Sequence, residues 1–273
     1  MINKIYISIP NTYPALCIEC DNDGLLFYLY NNMRPYAFLQ NEMICQRNQV
    51  NIRIEKLQRG YNISFDEKKR YAKDDDHLLR IIGVFVNGML ATENSYIAIH
   101  CAVLANEHNN YLFVGASGTG KSTLAAFLSE RGFLYYTDDK ALINCLSGSI
   151  NPFEKPIYLR PDGKRVLEET LGVSFDVERV SFGKEIRYSV NRQHNEMNYK
   201  KVKIIFLVRN SNNKKSICRL LDIDALKEII FHMIYVKNMS LNLKSIIHLL
   251  PQVECYRLEY DTLFDVEELL QLI

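Results

Sequence analysis

Residues 111–128 read YLFVGASGTGKSTLAAFL, and this stretch predicts the centre of the fold. Apolar and aromatic residues come first, a glycine-rich turn follows, and an apolar pattern with helical spacing comes after the turn. The turn, Gly115–Ser122, matches the G-x-x-x-x-G-K-[ST] pattern in full. A strand, a glycine turn and a helix in this order are typical of an α/β core.

The glycine turn has the residue types that a phosphate-binding loop requires. Glycines at 115, 118 and 120 let the backbone curl so that successive N–H groups point at phosphate oxygens. Lys121 can neutralise the β and γ phosphates, and the Ser122 hydroxyl can ligate Mg²⁺. We therefore predict that this segment binds ATP or another nucleoside triphosphate, with magnesium. The predicted nucleotide-binding residues are Gly115, Ala116, Ser117, Gly118, Thr119, Gly120, Lys121, Ser122 and Thr123.

Two adjacent carboxylates, Asp138 and Asp139, end the next predicted strand, Phe133–Tyr136. Such a pair is costly unless a cation or a basic group lies between the two side chains. In a neighbouring parallel strand both would face the magnesium, where one holds the metal and the other accepts a proton from an attacking hydroxyl. An Asx-type turn is the structural alternative.

His100 lies in the strand predicted at Ile97–Ala105, which a turn at Asn106–Asn110 joins to the strand Tyr111–Val114. This hairpin brings His100 near the predicted phosphate site. A catalytic role and a core role are equally compatible with the sequence.

The N-terminal part has short alternating runs, which are typical of an antiparallel meander. The runs are Ile5–Ile9, Leu16–Glu19, Leu25–Tyr30 and Val50–Glu55, separated by turns such as Asn22-Asp23-Gly24 and Asn31-Asn32. The charged segment Glu67–Asp76 is predicted to be an exposed loop, and the apolar spacing from Asp75 to Met89 predicts a helix.

The C-terminal part mixes strands with helices. We predict a helix at Ser122–Arg131 closed by Gly132, a hairpin from Ala141–Cys145 to the residues after Ser147-Gly148-Ser149, a central strand at Lys203–Val208, helices within Ile223–Tyr235 and Leu241–Leu250, and a strand at Cys255–Tyr260 before a short final helix. The fold class is α/β. Residues 1–90 are predicted to be a β-rich subdomain packed on a catalytic domain at 91–273, with one compact unit as the alternative.

Composition narrows the function classes. The formal net charge is +1 over 273 residues, so no global field favours nucleic acid or an anionic membrane as partner. The first residues lack a secretory apolar core, and no apolar run approaches the ~20 residues of a membrane helix. We therefore expect a cytoplasmic protein, in which Cys17 and Cys20, a lone C-x-x-C, are ordinary buried thiols.

The run HCAVL at 100–104 and residues 111–143 together resemble the catalytic domain of the HPr kinase/phosphorylase family. The resemblance is strongest to the HPr-kinase-related proteins that lack the HPr-dedicated module. Pro152–Pro161, PFEKPIYLRP, is similar to the basic segment that this family places beside the nucleotide. The resemblance covers about residues 95–273 and implies a P-loop core of the HPr kinase and phosphoenolpyruvate carboxykinase type.

The resemblance also implies roles for single residues. Asp138 would be the general base for a serine hydroxyl, Asp139 a carboxylate on the metal side, and His100 a group that positions the base. Lys121 would act in catalysis on the triphosphate, and Lys155 and Arg160 would contact phosphate. The resemblance leaves open which of the two aspartates takes which role.

The sequence departs from the family in two respects. We find no counterpart of the C-terminal signature for the reverse, phosphorolytic reaction, and residues 1–90 do not resemble the regulatory module. The resemblance to the stand-alone relatives implies a serine-bearing peptide or small protein as partner, such as a lasso-peptide precursor, and it implies a homo-oligomer as the assembly. The alternatives are a nucleotide-dependent ATPase or switch protein, a small-metabolite kinase, and a nucleotide-binding scaffold without catalysis.

Overall fold

The computed structural model describes residues 4–7, 15–32, 37–39, 49–65, 68–90, 96–152, 156–175, 178–182, 185–190, 200–210, 214–234 and 239–273. The chain divides into two compact units. The first comprises Met1–Glu93 with Ser181–Ile186, and the second comprises Asn94–Val180 with Arg187–Ile273.

The first unit is built on a six-stranded sheet. Its elements are β1 (Lys4–Ile7), β2 (Ala15–Cys20), α1 (Asp23–Asn32), β3 (Ala37–Leu39), β4 (Gln49–Lys56), β5 (Tyr61–Phe65), β6 (Lys68–Ala72) and α2 (Asp75–Leu90). The strand order is β3-β1-β2-β4-β5-β6. The pair β2–β4 is parallel and the others are antiparallel, so the predicted all-antiparallel meander is wrong at that step.

Helix α1 replaces the strand predicted at Leu25–Tyr30 and the turn predicted at Asn31-Asn32. Asn22 caps this helix, because its Oδ1 accepts a hydrogen bond from the Leu25 N–H at 3.0 Å. Leu25, Leu26 and Leu29 are buried on one side of the helix. The run LLFYLY alternates like a strand, but the preceding cap and its burial pattern are those of a helix.

The charged segment predicted as a loop contains the edge strand β6. Its exposure is confirmed, since Lys68 to Tyr71 are all exposed, but its backbone pairs with β5 along the whole strand. Helix α2 is confirmed, and Asp74 begins it by accepting the His77 N–H at 2.9 Å. Cys17 and Cys20 are buried in β2, as predicted.

The second unit is built on a six-stranded mixed sheet, which confirms the α/β class. The elements up to residue 190 are β7 (Tyr96–Ile99), β8 (Cys101–Ala105), β9 (Asn109–Val114), α3 (Lys121–Glu130), β10 (Leu134–Thr137), β11 (Ala141–Asn144), β12 (Ile150–Pro152), β13 (Ile157–Leu159), α4 (Pro161–Leu171), β14 (Glu178–Phe182) and β15 (Glu185–Val190). The end of β14 and the start of β15, within Ser181–Ile186, belong to the first unit. The later elements are β16 (Lys201–Arg209), β17 (Ser216–Arg219), α5 (Asp222–His232), α6 (Met239–Leu249), a 3-10 turn (Leu250–Gln252), β18 (Val253–Tyr260) and α7 (Leu263–Leu270).

The main sheet has the order β10-β8-β9-β16-β18-β17. Strands β9, β16 and β18 are parallel to one another, and β16 lies between the other two as the predicted central strand. The remaining strands form two three-stranded sheets, β12-β11-β7 and β13-β15-β14. Strands β11 and β12 form the predicted hairpin.

Helices and the smaller sheets cover both faces of the main sheet. Buried residues of α3, α4 and α7 pack on one face, and those of α5, α6, β7 and β11 pack on the other. A sheet buried on both faces needs apolar side chains at nearly every position, which is why β8 is apolar throughout and why β9 and β16 are apolar over 111–114 and 204–208.

Candidate active site

A cleft of about 660 Å³ opens at the carboxyl ends of the three parallel strands. The segment Gly115–Gly120, which we call the glycine loop, follows β9, while Arg209 ends β16 and Tyr260 ends β18. Arg209, Tyr260 and most of the glycine loop line the cleft. Ligands of open α/β sheets bind at this edge, because the carboxyl ends of parallel strands open onto a common crevice.

The glycine loop needs glycine at three positions. Gly118 and Gly120 have φ of +89° and +88°, which a side chain would strain. At Gly115 a Cβ atom would lie 3.0 Å from Thr119 Oγ1 and 3.3 Å from the Leu207 carbonyl oxygen. The strand, turn and helix predicted around this motif are therefore present, and the backbone conformation explains the glycine spacing.

Two contacts hold the glycine loop in shape. Within the loop, the Thr119 hydroxyl donates to the Ala116 carbonyl oxygen at 2.9 Å. From the neighbouring part of the sheet, the Tyr260 hydroxyl donates to the Thr119 carbonyl oxygen at 2.5 Å. The loop is thus tied both to itself and to the end of β18.

Helix α3 directs its N-terminus at the cleft. It begins at Lys121 with Gly120 as its cap residue, and no side chain caps it. The first N–H groups of a helix have no partner within the helix, and they carry a partial positive charge. Such a terminus is suited to an anion.

Lys121 is 5 % exposed, and its Nζ donates to the carbonyl oxygens of Gly115 at 2.8 Å and Ala116 at 3.1 Å. Burial lowers the pKa of Lys121, and the negative charge of the nearby acidic groups, including Asp138 and Asp139, opposes that shift. The ammonium group is therefore held against the glycine loop, at the wall of the cleft, and within the electrostatic reach of both carboxylates.

Asp138 and Asp139 both line the cleft, in different surroundings. Asp138 is 5 % exposed and its Oδ1 accepts the Tyr135 hydroxyl at 3.3 Å. Burial, followed by the charge of Asp138, raises the pKa of Tyr135 well above its usual range, so Tyr135 remains a hydrogen-bond donor. Asp139 is less buried and lies 3.5 Å from the Lys140 ammonium.

A β-bulge precedes the two carboxylates. Tyr135 lies opposite Leu104 and Thr137 lies opposite Val103, so the register of β10 against β8 shifts at Tyr136. Strand β8 lies between β10 and β9, so the expectation that Asp138 follows a strand adjacent to the phosphate loop strand is wrong. The carboxylates still line the same cleft as the loop.

His100 lies between β7 and β8, in a break of the strand predicted at Ile97–Ala105. Its Nδ1 makes a short hydrogen bond with the Asp139 carbonyl oxygen and lies 3.7 Å from Asp139 Oδ1. The Cys101 N–H donates to the same carbonyl oxygen at 3.2 Å. These contacts fix the backbone of Asp139 beside His100, which itself lines the cleft.

Helix α4 forms the opposite rim. Arg160 precedes this helix, is exposed and lines the cleft, whereas Lys155 lies outside the described residues. Gly163 allows α4 to approach α3, since a Cβ atom there would lie 2.7 Å from Thr123 Oγ1. This contact sets the width of the cleft beside the start of α3.

Sequence reasoning missed Arg209, Tyr260 and Asp261 as cleft residues. Each lies at or just after the end of a strand that the sequence predicted correctly. The sequence does show polar residues at the ends of these apolar strands. That pattern indicates a cleft residue only once β16 and β18 are known to run parallel to β9.

The geometry fits a magnesium–triphosphate ligand. Among the described residues, no group of three or more His, Cys, Asp or Glu side chains is arranged to hold a metal by itself. Mg²⁺ is typically bound through one or two carboxylates together with substrate phosphates. Asp139 offers such a carboxylate and Ser122 offers a hydroxyl oxygen, and both lie on the cleft.

Comparisons with known proteins give a distant neighbour. No family model matches the chain, and no curated protein matches it. Among solved structures, the HPr(Ser) kinase/phosphatase from Coxiella burnetii aligns with 64 % of this chain and 94 % of its own, at 11 % identity and a TM-score of 0.32. The function of the chain therefore rests on its own residues. In the described part of the chain, no helix is long and apolar enough to cross a bilayer.

Proposed function

We propose that this chain is an ATP- and Mg²⁺-dependent kinase that transfers the γ-phosphate to a serine hydroxyl of a peptide or small protein. The observation that carries the proposal is the composition of the cleft. One cleft brings together the glycine loop, the start of α3, the buried Lys121 and the buried Asp138. A phosphate loop and a buried carboxylate facing one space are the minimum that phosphoryl transfer to a hydroxyl requires.

In the proposed complex the triphosphate lies along residues Gly115 to Thr123. The N–H groups of the glycine loop and of the first turn of α3 donate to phosphate oxygens. Lys121 exchanges its two carbonyl contacts for phosphate oxygens. Mg²⁺, held by Ser122 and Asp139, would neutralise charge on the β and γ phosphates.

Asp138 acts as the general base. Its carboxylate accepts the proton of the serine hydroxyl while the serine oxygen forms a bond to the γ phosphorus and the bond from that phosphorus to the ADP oxygen breaks. The hydrogen bond from Tyr135 orients the carboxylate. His100 holds Asp139 in place, and Arg160, with Lys155, offsets the charge of the transferred group.

The acceptor class is the more open part of the proposal. The resemblance of residues 95–273 to HPr-kinase-related proteins favours a serine in a peptide, including a lasso-type precursor. A small-molecule hydroxyl and water are the competing acceptors.

The test is transfer of label from γ-³²P-ATP to serine-containing peptides, with Asp138→Asn beside the unaltered chain. We expect the loss of the base to lower the transfer rate by about 10²–10⁴-fold. Asp224→Asn is the matched control, since Asp224 lies on α5, outside the cleft, in an exposed pair with Lys227. It should transfer at the unaltered rate.

The other outcomes assign other functions. Release of free phosphate without a labelled acceptor would indicate an ATPase, and label on a small metabolite would indicate a metabolite kinase. Equal turnover in Asp138→Asn and the unaltered chain would remove Asp138 from the mechanism, and nucleotide binding without turnover would indicate a scaffold.

A further inference from the structure

The first unit has a basic groove of about 520 Å³ between β6 and α2. Arg70 of β6 and Lys73, His77 and Arg80 supply its polar wall, and Ile81 with Val84 supply its apolar wall. None of these lining residues is acidic, although the chain as a whole is nearly neutral.

The cations of the groove are available to a ligand. Across the described residues, Arg70, Lys73 and Arg80 make no ion pair with a carboxylate. Arg70 lies over the Phe65 ring at 5.7 Å, and Arg80 Nε donates to the Asp76 carbonyl oxygen. Positive charges that have no carboxylate at ion-pair distance can attract an anionic partner.

The groove runs beside an open sheet edge. In the described part of the sheet, β6 pairs with β5 alone. Every second residue of an edge strand points its N–H and C=O groups away from the sheet, where another strand can pair with them. Lys68, Arg70 and Ala72 share the face that α2 covers, as the burial of Ala72 and the contact of Phe65 with Phe85 show.

The basic groove and the open edge of β6 together favour one kind of ligand. A strand added to β6 would turn alternate side chains toward α2, where His77 and Arg80 lie three residues apart on the helix and Lys73 lies just before its start. Acidic side chains at alternate positions would meet Lys73 and Arg80, and a neighbouring apolar group would meet Val84, which is 62 % exposed. We propose that the first unit binds an acidic peptide segment in extended form, as an added strand on β6.

Edge protection is the simpler interpretation of part of this surface. Lysines on an edge strand, such as Lys68 and Lys69, repel other strands. That role needs no cations on α2 and no exposed apolar side chain between them and the edge. The helix residues are therefore what distinguish a binding groove from a protected edge.

The inference does not rest on the proposed function, because binding is measured without nucleotide. The probe is a labelled synthetic peptide of about eight residues, long enough to pair along β6, in which glutamate alternates with valine and threonine. Fluorescence anisotropy with the full chain should show saturable binding that weakens with added salt. The same peptide with lysine in place of glutamate should not bind.

Matched charge reversals locate the site. Arg70→Glu/Arg80→Glu should weaken binding by about tenfold or more, and Arg53→Glu/Arg59→Glu, on exposed arginines of the same unit outside the groove, should change it by less than about twofold. Circular dichroism must show that both pairs fold. Equal loss in the two pairs, or no binding by the unaltered chain, would overturn the proposal.

Two further readouts test the added strand. A version of the acidic peptide with N-methyl groups at alternate amides cannot pair along β6 and should bind about tenfold more weakly. Hydrogen exchange should slow at alternate amides of β6 when the unmethylated peptide is bound. Equal binding of the methylated peptide would show charge attraction without strand addition, and would overturn it.

Discussion

Two lysines of the second unit are buried to the same extent but have different partners. Lys121 and Lys203 are each 5 % exposed. Lys203, on β16, lies 3.9 Å from the Glu254 carboxylate and over the Tyr256 ring. Lys121, at the start of α3, donates to two neutral carbonyl oxygens, and among the described residues it has no carboxylate at ion-pair distance.

Burial lowers the pKa of both lysines, so each carries a desolvation cost. At Lys203 a carboxylate of the fold offsets that cost. At Lys121 the carboxylates act from further away, and the side chain faces a cleft. A buried cation without a close counter-ion, placed at the wall of a cleft, is suited to receive an anion from outside.

The largest difference should appear in phosphoryl transfer. Lys121→Met should lower the transfer rate by about 10²–10³-fold, because it removes a positive charge from the transition state. Lys203→Met should leave the rate within about twofold, since Lys203 does not line the cleft. Rates measured with γ-³²P-ATP for both variants check this, and equal losses would end the distinction between the two lysines.

Ligand stabilisation should separate the same pair of variants. ADP with Mg²⁺ at about 100 times its Kd should raise the free energy of unfolding of the unaltered chain by about 2.7 kcal/mol. Lys203→Met should keep this gain and Lys121→Met should lose most of it. Urea denaturation with and without ADP measures the gain, and ADP without Mg²⁺ is the control for the metal.

Removing the counter-ion should affect folding alone. Glu254→Gln leaves Lys203 buried without its carboxylate, and it also removes the Lys201 contact at 2.7 Å. We expect the free energy of unfolding to fall by about 1–3 kcal/mol. Glu169→Gln, at an exposed position of α4, serves as the control in urea denaturation, and an unchanged midpoint for Glu254→Gln would contradict the structural role of the pair.

The smallest effect concerns His232. Burial lowers the pKa of His232, Glu228 opposes the shift, and the Lys121 charge adds to it. The histidine pKa is 6.5 in the unfolded chain and lower in the folded chain, so between these two values the unfolded chain binds more protons. The free energy of unfolding therefore falls as the pH is lowered through this range.

This pH dependence should appear as a shallow fall in the free energy of unfolding as the pH is lowered from 8 to 5. Lys121→Met should shrink it and Lys203→Met should not. Unfolding free energies between pH 5 and 8 measure the slope, with His232→Gln as the variant that lacks the term. An unchanged slope in His232→Gln would assign the pH dependence to other groups.

The residues of the cleft differ in how far the sequence could predict them. Lys121 and the glycine loop are predictable because the motif is local: spacing within a few residues sets the turn, and the flanking apolar runs set the strand and the helix. Arg209 and Tyr260 are not predictable in this way. They reach the cleft because β16 and β18 run parallel to β9, and strand pairing over such distances leaves no local pattern.

The errors of prediction also come from tertiary contacts that leave no local pattern in the sequence. The alternating run at Leu25–Tyr30 was predicted to be a strand. The tertiary contacts that bury one side of α1 favour a helix instead, and they cannot be seen in the local pattern. Strand β10 was expected beside β9, but β8 returns between them as a hairpin partner. Asp138 and Asp139 line the cleft, although the strand order that brings them there differs from the predicted one.

The bulge at Tyr136 also limits how this protein can change over evolutionary time. The register of β10 shifts there, and Asp138 follows two residues later. Because successive side chains of a strand alternate between faces, losing or gaining one residue between the bulge and Asp138 would turn Asp138 away from the cleft. The length of that short stretch is therefore constrained, and homologues that keep the chemistry should carry their insertions elsewhere, such as in the loop between α3 and β10.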